Sequence, residues 1–412
     1  MGTVLRLAWR NLWRNRRRTW LTAGAIAFST ILLVGWVPIQ FGAYDIMINA
    51  TLRVFPGHAQ VQRPGYQGKP KIRNAIDDAE TLANSLRNGS KHFTGVAVRA
   101  QGFVLLSSGS RSYGAQIVGV EPEYEGDTSS IPGLIKEGRY LSSIDAQELV
   151  IGSALARNLK LKVGDEVTLL GGGKDGSVAA AILPVVGIFD SGSRELDRFF
   201  SEIPLHTFQD IFTMGDSAHT ITIMGKSVED QAQLLTALND AIRDRGDVVV
   251  LGWEELVPGM KEAIQIDKVS GFIFLGILIA IVVFSILNTF LMSILERTRE
   301  FGLMLALGSR PKRIAGLMML ESALLTLIGL SIGFIIGTAL VYWAHVSGIQ
   351  FPGAEDIMEQ FNMPEMGRIY PQMKLFNFLL GPITIFVATN LAAWVPILRI
   401  RKLEPIEAMR TI

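Results

Sequence analysis

The stretch VSGFIFLGILIAIVVFSILNTFLMSIL, residues 269–295, contains no charged side chain. A helix needs about 20 apolar residues to cross the hydrocarbon core of a bilayer, whereas buried helices of soluble proteins usually show apolar runs of about 10–14. Three further stretches, 19–44, 322–354 and 375–398, are as free of charge and long enough to span. The sequence therefore predicts an integral membrane protein with four transmembrane α-helices.

The composition agrees with this prediction and excludes several classes of site. Charged residues make up only 19% of the chain, against about 25% in a typical soluble protein. The chain has no cysteine, which excludes disulfides, thiolate metal sites and a cysteine nucleophile. The formal net charge of +1 gives no indication of nucleic-acid binding.

Charge is distributed unevenly along the chain. Residues 1–18, 296–313 and 399–412 together carry 15 basic and four acidic side chains, whereas residues 45–268 carry 22 basic and 29 acidic ones. Basic flanks of transmembrane helices remain in the cytoplasm. The pattern predicts a multi-pass membrane protein with both termini cytoplasmic. The segment 45–267 is then outside, as is the acidic stretch 355–374.

The domain between the first two spans is predicted to be mixed α/β. Runs typical of strands, such as HAQVQ (58–62) and HTITIMG (219–225), alternate with helical ones such as VEDQAQLLTALNDAIRDR (228–245). The glycine-rich LLGGGKDGS (169–177) lies between two such strands and is predicted to be a hairpin loop. The fold class is thus four transmembrane helices plus a large mixed α/β extracytoplasmic domain inserted between helices 1 and 2.

These patterns divide the chain into nine segments. They are a cytoplasmic amphipathic elbow helix at 1–18, the first span at 19–44, the extracytoplasmic domain at 45–267, the second span at 268–295, a short cytoplasmic helix at 296–314, the third span at 315–345, a short extracytoplasmic loop at 346–374, the fourth span at 375–398 and a cytoplasmic tail at 399–412. In the elbow helix, apolar residues including Leu5, Trp9 and Leu12 share one stripe opposite the arginines, which is typical of an interfacial helix.

The segment 296–314, ERTREFGLMLALGSRPKRI, predicts a short helix followed by a sharp break. Phe301, Met304 and Leu305 form a narrow apolar stripe at helical spacing, and we expect it to be exposed and to dock into a partner's groove. Gly308 can adopt the left-handed conformation that often ends a helix, and Ser309 is the expected N-cap of the next helix. A helix on the membrane surface without a partner is the alternative.

The third span contains a candidate packing face. Gly329, Gly333 and Gly337 recur every four residues and so lie on one side of a helix, where small residues allow a neighbouring helix to approach closely in lipid. We expect Glu321, at the head of this span, to lie at the interface rather than to be buried.

No motif in the chain indicates catalysis, a bound metal or a cofactor. A phosphate-binding loop has a glycine five residues before its Gly-Lys pair, and before GKDGS that position is Thr168. The histidines show no metal-ligand spacing. The stretch GDSAH (215–219) lacks the closing glycine of a nucleophile elbow. We therefore expect no catalytic, metal or cofactor residues; a membrane-anchored hydrolase is the alternative.

At this point the chain resembles a known family, the permease subunits of the MacB/LolC–LolE/FtsX group of ABC transporters. The similar stretches are the arginine-rich start LAWRNLWRNRRR, PGHAQVQ (56–62), ELVIGSALARNLKLKVGDEVTLL (148–170), the loop at 296–314 and the ending at 405–410. Together they extend over nearly the whole chain.

The resemblance implies a mechanism and a set of partners. Two permeases of the cell inner membrane, identical or paralogous, pair as a dimer, and each binds an ATPase subunit through the helix at 296–314, which acts as a coupling helix. The domain at 45–267 is then a MacB-like periplasmic core domain, and 346–374 a short periplasmic loop. ATP and Mg²⁺ are then bound by the partner ATPase, because no fused ATPase domain is expected here. Carried over from the family loop, the coupling positions are Glu296, Arg299, Glu300, Gly302, Leu305, Ala306, Leu307 and Gly308.

The family leaves three functions open for this chain. The layout is closest to LolC and LolE, which implies release of lipoprotein or lipid-linked cargo from the inner membrane. The alternatives are MacB-like export of a peptide or small amphiphile with a periplasmic adaptor, and FtsX-like regulation of a periplasmic hydrolase without transport.

Overall fold

The computed structural model describes residues 2–89, 92–350 and 368–400. Among these residues, four helices are long and apolar enough to cross a membrane. They are α2 (Arg16–Val54), α10 (Pro258–Glu296), α12 (Pro311–Ser347) and α13 (Leu375–Ile400). Each contains one of the four uncharged stretches of the sequence, or most of it.

Two of these helices are much longer than the apolar runs within them. Both α2 and α10 contain 39 residues, which corresponds to about 58 Å of helix, roughly twice the thickness of a bilayer core. The helix of the first span continues ten residues past the predicted end at position 44, and that of the second begins ten residues before position 268. Apolar composition marks the part that fits in lipid, whereas backbone hydrogen bonding continues into the polar flanks.

The chain folds into two compact units, which we call the helical unit and the sheet unit. The helical unit comprises Met1–Tyr44, Ile264–Ile349 and Arg368–Ile412, and the sheet unit comprises Asp45–Ala263 and Gln350–Gly367. Of the predicted loop 346–374, residues 351–367 lie outside the described part. So does most of the predicted tail, including the stretch 405–410.

In the helical unit, α12 packs against α2 through its glycines. Gly329, Gly333 and Gly337 are all buried on the side that faces α2. A Cβ atom added at Gly333 would lie 2.5 Å from the carbonyl oxygen of Ala27, and one at Gly337 would lie 3.1 Å from Cγ1 of Val34. The absence of side chains is what allows the two backbones to approach this closely.

The remaining described helices are short. They are α1 (Gly2–Arg14), α3 (Ala79–Gly89), α4 (Pro122–Thr128), α5 (Ser153–Leu159), α6 (Arg194–Phe199), α7 (Leu205–Ile211), α8 (Gln231–Ala241), α9 (Trp253–Leu256) and α11 (Thr298–Ala306). The first and last belong to the helical unit, and the others to the sheet unit.

The sheet unit is built on ten described strands that form one mixed sheet. They are β1 (Ala59–Gln62), β2 (Phe93–Ser108), β3 (Arg111–Val120), β4 (Ile135–Gly138), β5 (Leu149–Gly152), β6 (Glu166–Gly172), β7 (Val178–Phe189), β8 (Phe200–Pro204), β9 (Thr220–Gly225) and β10 (Val249–Gly252). Two further strands, β11 (Ile349–Gln350) and β12 (Arg368–Ile369), have two residues each.

The strand order is β10-β1-β9-β2-β3-β8-β5-β7-β4, with β6 pairing both β2 and β7. The β3–β8 and β5–β7 pairs are parallel, and the others are antiparallel. Inward-facing aliphatic residues of the long strands pack against α3, α5, α7 and α8 to form the main core of the unit. The mixed α/β character predicted for this segment is therefore observed.

The glycine-rich loop is shorter than the sequence predicts. Leu169 to Gly172 belong to β6, which pairs with β7 up to Gly172 opposite Val178, so that only residues 173–177 form the hairpin loop. Lys174 in this loop bonds to Ser217 Oγ at 2.6 Å. Hydrogen bonding across the hairpin thus extends into a stretch whose glycine content suggested loop.

The sheet unit contains a buried polar cluster. The guanidinium of Arg99 pairs with Glu125, and both side chains are fully buried. Arg99 also donates to the carbonyl oxygen of Phe55, directly after the end of α2. Glu202 accepts a hydrogen bond from Tyr140 at 2.8 Å and is also fully buried.

Candidate functional site

The segment between the second and third spans forms a helix of nine residues, α11. It ends in a Schellman motif: Ser309 N donates to Met304 O at 2.9 Å and Gly308 N to Leu305 O at 3.0 Å. Gly308 has φ of +88°, a left-handed conformation that favours glycine. The predicted break is therefore at Gly308. However, Arg310 rather than Ser309 is the N-cap of α12, and its side chain makes no capping bond.

The apolar stripe expected to be exposed faces the interior of the helical unit instead. Phe301 is fully buried, and Met304 and Leu305 are half-buried against the core of that unit. The opposite face carries Leu303 and Leu307, which are 56% and 79% exposed. The prediction of an exposed Phe301 stripe was wrong, because helical periodicity identifies an apolar face but not the direction in which it points.

The predicted coupling residues therefore divide into two groups. Gly302 is buried and Leu305 half-buried, so both contact the helical unit itself. The others are exposed at the surface of the segment: Glu296, Arg299, Glu300, Ala306, Leu307 and Gly308.

A buried ion pair, missed by the sequence prediction, anchors the start of α11. Arg297 Nη1 lies 2.9 Å from Glu321 Oε2, with both side chains more than nine-tenths buried. Arg297 also contacts Glu300 Oε2 at 3.1 Å, and its guanidinium lies 5.3 Å from the centre of the Phe301 ring. Glu321 is therefore buried rather than interfacial, because Arg297 compensates its charge.

The sequence did contain a signal for this pair. The segment 296–314 resembles the cytoplasmic loop of the family, whose usual form is R..E.G...ALG. Arg297 stands at the arginine of that form, whereas the predicted set contains Arg299. Arg299 is exposed, and among the described residues it forms no ion pair. A charged residue twenty-four positions away can be recognised as its partner only when α10 and α12 are packed together.

The N-terminal helix is connected to the same network. Arg14 pairs with Glu300 at 2.9 Å, and Asn11 Nδ2 donates to Glu321 Oε1 at 2.6 Å. Arg18, at the start of α2, pairs with Glu296 at 2.8 Å. A cavity of about 180 Å³ lies among these side chains. The elbow helix and the coupling segment therefore share one set of polar contacts.

The charge of Glu300 is stabilised by this network. Burial raises the pKa of its carboxyl, but hydrogen bonds from Arg14 and Arg297 outweigh burial and lower the pKa below its usual value. Glu300 is therefore ionised near neutral pH, as an ion pair requires.

The apolar stripe of α1 is partly buried and partly exposed. Ala8 and Leu12 are buried, whereas Leu5 and Trp9 are about half exposed. The ring of Trp9 lies 5.8 Å from that of Trp13, and Trp13 lies at the same distance from Trp20. Exposed tryptophans beside arginines are typical of the membrane–water interface.

The described residues hold no cluster of three or more His, Cys, Asp or Glu side chains arranged to bind a metal ion. This site is a short charged helix that is held by a buried ion pair and exposes apolar side chains on its outer face.

Two family models match the chain. The MacB-like periplasmic core domain matches residues 19–241, more than half of the chain, and the FtsX-like permease C-terminal domain matches residues 272–405. The chain belongs to the MacB/LolC/FtsX family of ABC transporter permeases. The candidate spans α10, α12 and α13, together with α11, lie wholly or largely within the FtsX-like match, whereas α2 and most of the sheet unit lie within the MacB-like one.

Similar proteins include two whose names describe different transport systems. The lipoprotein-releasing system transmembrane protein LolC of Neisseria meningitidis is 22% identical over 78% of this permease and 76% of LolC. The macrolide export ATP-binding/permease protein MacB 1 of Yersinia pestis is 25% identical over 98% of this permease, which spans 60% of the length of that MacB. The crystal structure of the periplasmic region of MacB from Actinobacillus actinomycetemcomitans aligns with 50% of this permease and 92% of that chain, at 17% identity and a TM-score of 0.36.

Proposed function

We propose that this permease transmits the motion of a separate ATPase subunit, through α11, to its extracytoplasmic domain. The observation that carries the proposal is the outer face of α11, where Leu303, Ala306 and Leu307 are exposed while Arg297 and Phe301 hold the helix in place. An exposed apolar patch on a short, rigid helix suits a groove on a partner.

The coupling role is tested by the substitution Leu307→Glu in the full-length permease, purified from native membranes with the ATPase subunit that accompanies the wild-type protein. Since Leu307 is 79% exposed, we expect an unchanged melting temperature and loss of the bound ATPase. Leu170→Glu, the same change at an exposed leucine of the sheet unit, is the matched control and should retain the ATPase.

A second variant separates docking from folding. Phe301 is fully buried, so Phe301→Ala should destabilise the permease by about 3–5 kcal/mol through loss of core packing.

The outcome for the first variant decides the proposal. If the Leu307→Glu permease keeps its ATPase and its function in cells, α11 is not the docking helix.

For the cargo, we propose release of lipoprotein or lipid-linked molecules from the membrane, by a dimer of permeases that belongs to the cell inner membrane. The alignment with LolC over three quarters of both chains supports this assignment. The MacB-like core model, together with the match to MacB over almost the whole permease, favours export of an amphiphile as the second candidate.

Depletion of the permease distinguishes these candidates. If the cargo is a lipoprotein, lipoproteins should accumulate in the inner membrane on a sucrose gradient. Normal lipoprotein sorting combined with new sensitivity to an amphiphilic antibiotic would instead support export. Normal lipoprotein sorting and unchanged antibiotic resistance, combined with a cell-separation defect, would indicate an FtsX-like regulator.

A further inference from the structure

The first half of β7 forms an open edge of the sheet. Residues 178–184 pair with β6 on one side, whereas pairing with β5 on the other side starts only at Val185. Strand β4 pairs on the side of β7 opposite β5, from Gly187 onward. No other described strand pairs with residues 178–184. An edge of this kind presents backbone groups to which another strand can bond.

The register shows which groups these are. Gly173 N donates to Ser177 O at 2.9 Å across the hairpin, and Val185 N donates to Asp165 O at 2.9 Å. Because bonded pairs alternate in an antiparallel ladder, residues 179, 181 and 183 bond to β6. The N–H and C=O groups of Ala180 and Ile182 therefore point toward the open edge. Pro184 has no N–H, but at its position the backbone faces away from β6, so no hydrogen bond to β6 is lost.

A groove of about 420 Å³ runs along this edge. One wall is the edge of β7, and the other contains His206 and Asp210 of α7 together with Asp145. His206 bridges Asp145 at 2.6 Å and Glu80 at 3.3 Å. The bridge connects the loop that carries Asp145 to α3 and α7, so the rim of the groove is part of the folded unit.

The two sides of the groove differ in chemistry. On the outer face of the sheet, Val178 and Ile182 are 78% and 62% exposed and lie next to the exposed Leu170 of β6. Toward α7, the exposed carboxylates of Asp145 and Asp210 give the rim a negative charge. A strand added at this edge would thus present alternate side chains to an apolar surface and to carboxylates.

We propose that this edge of β7 binds an extended polypeptide segment, which adds as a strand along Ala180 to Ile182. The segment is one in which apolar side chains alternate with lysine or arginine. Its backbone bonds to the free groups of Ala180 and Ile182, its apolar residues cover Ile182, and its cations face Asp145 and Asp210. This site does not depend on the coupling role of α11 or on the identity of the cargo.

The open edge can be tested first without any ligand, by single-residue hydrogen exchange on the full-length permease in nanodiscs. The amides of Ala180 and Ile182 should exchange readily, whereas those of Ala179, Ala181 and Leu183 should be protected by β6. Protection of all five would show that the edge is already covered and would overturn the proposal.

Binding is then measured by fluorescence anisotropy with a labelled peptide of alternating valine and lysine, on phosphatidylcholine nanodiscs that contain the permease. Two isomers of the peptide are N-methylated, one at the valine amides and the other at the lysine amides. Only one edge of a docked strand faces β7, so one isomer should bind like the parent and the other should not bind. Equal binding by both isomers, or equal binding to empty nanodiscs, would indicate simple adhesion by charge or apolar contact and would reject strand addition.

Variants of the permease complete the test. Ile182→Pro removes the outward N–H without removing a bond to β6, and should abolish peptide binding. Phe103→Ala, at an exposed position of β2 away from the groove, should leave it unchanged within twofold. Asp210→Asn should weaken binding by roughly two- to fivefold at low salt, the range expected for an exposed ion pair. Unchanged binding by a folded Ile182→Pro variant would refute the proposal.

Discussion

At the scale of single residues, two buried ionisable groups of the sheet unit have pKa values shifted in opposite ways. Burial lowers the pKa of His219 to about 4. Its Nδ1 accepts a hydrogen bond from Gln101 N, and its Nε2 lies 3.1 Å from Ile72 O, an arrangement that a neutral imidazole can form. Burial together with the nearby charge of Glu125 raises the pKa of Glu202 to about 8. Both groups are thus neutral in the folded protein near pH 6.

Glu202 gives a prediction about pH and stability. An unfolded chain loses the Glu202 proton near pH 4.5, whereas the folded protein retains it up to about pH 8. Raising the pH through this range therefore favours unfolding. Glu202→Gln, which can still accept the bond from Tyr140, should match the wild-type protein at pH 4 and become progressively more stable than it up to pH 8. Thermal unfolding at several pH values measures the difference, and a constant difference would contradict the assignment.

The pair of Arg297 and Glu321 gives a second prediction at this scale. Arg297→Met leaves the buried Glu321 carboxylate without a counter-charge and should cost about 3–5 kcal/mol of stability. Glu321→Met should cost less, because Arg297 keeps its contact with Glu300. The double variant should cost much less than the sum of the two, because no charge is left buried. Denaturation of the four proteins in one detergent gives the interaction energy, and additive losses would show that the pair is not coupled.

At the scale of secondary structure, the third span shows how local sequence and packing combine. The four-residue spacing of its glycines predicts a face of small residues, and the structure places that face against α2. Spacing alone could not indicate which helix would occupy it, because α2 lies about 300 residues earlier in the chain.

Substitutions on α12 test this packing. Gly333→Ala places a methyl group 2.5 Å from the backbone oxygen of Ala27, so α2 and α12 must separate, and we expect a loss of roughly 1–3 kcal/mol. Gly316→Ala on the same helix meets no atom within 4 Å and should be neutral or slightly stabilising. Melting temperatures in detergent compare the two, and equal effects would argue against the close α2–α12 contact.

At the scale of the whole molecule, the charge distribution predicts which segments face the cytoplasm. The coupling segment is basic and residues 45–268 are acidic, and positive flanks favour the inner side of the membrane. Because the permease has no cysteine of its own, single cysteines can report this arrangement without further changes.

Lys69 of the sheet unit and Arg299 of α11 are both exposed and provide a matched pair of labelling sites. In spheroplasts, a membrane-impermeant maleimide should label Lys69→Cys but not Arg299→Cys. After the membrane is dissolved in detergent, both should be labelled. Labelling of Arg299→Cys in sealed spheroplasts would reverse the predicted topology.

The sequence by itself determined the features that depend on local composition and period. Uncharged runs longer than a bilayer is thick identified the four spans, alternating runs identified the mixed sheet, and Gly308 marked the end of α11. Only the tertiary structure decided which way the apolar stripe of α11 points, where Glu321 finds its counter-charge, and which edge of β7 remains open. Periodicity and composition depend on neighbours along the chain, whereas these three features depend on groups that folding brings together from distant positions.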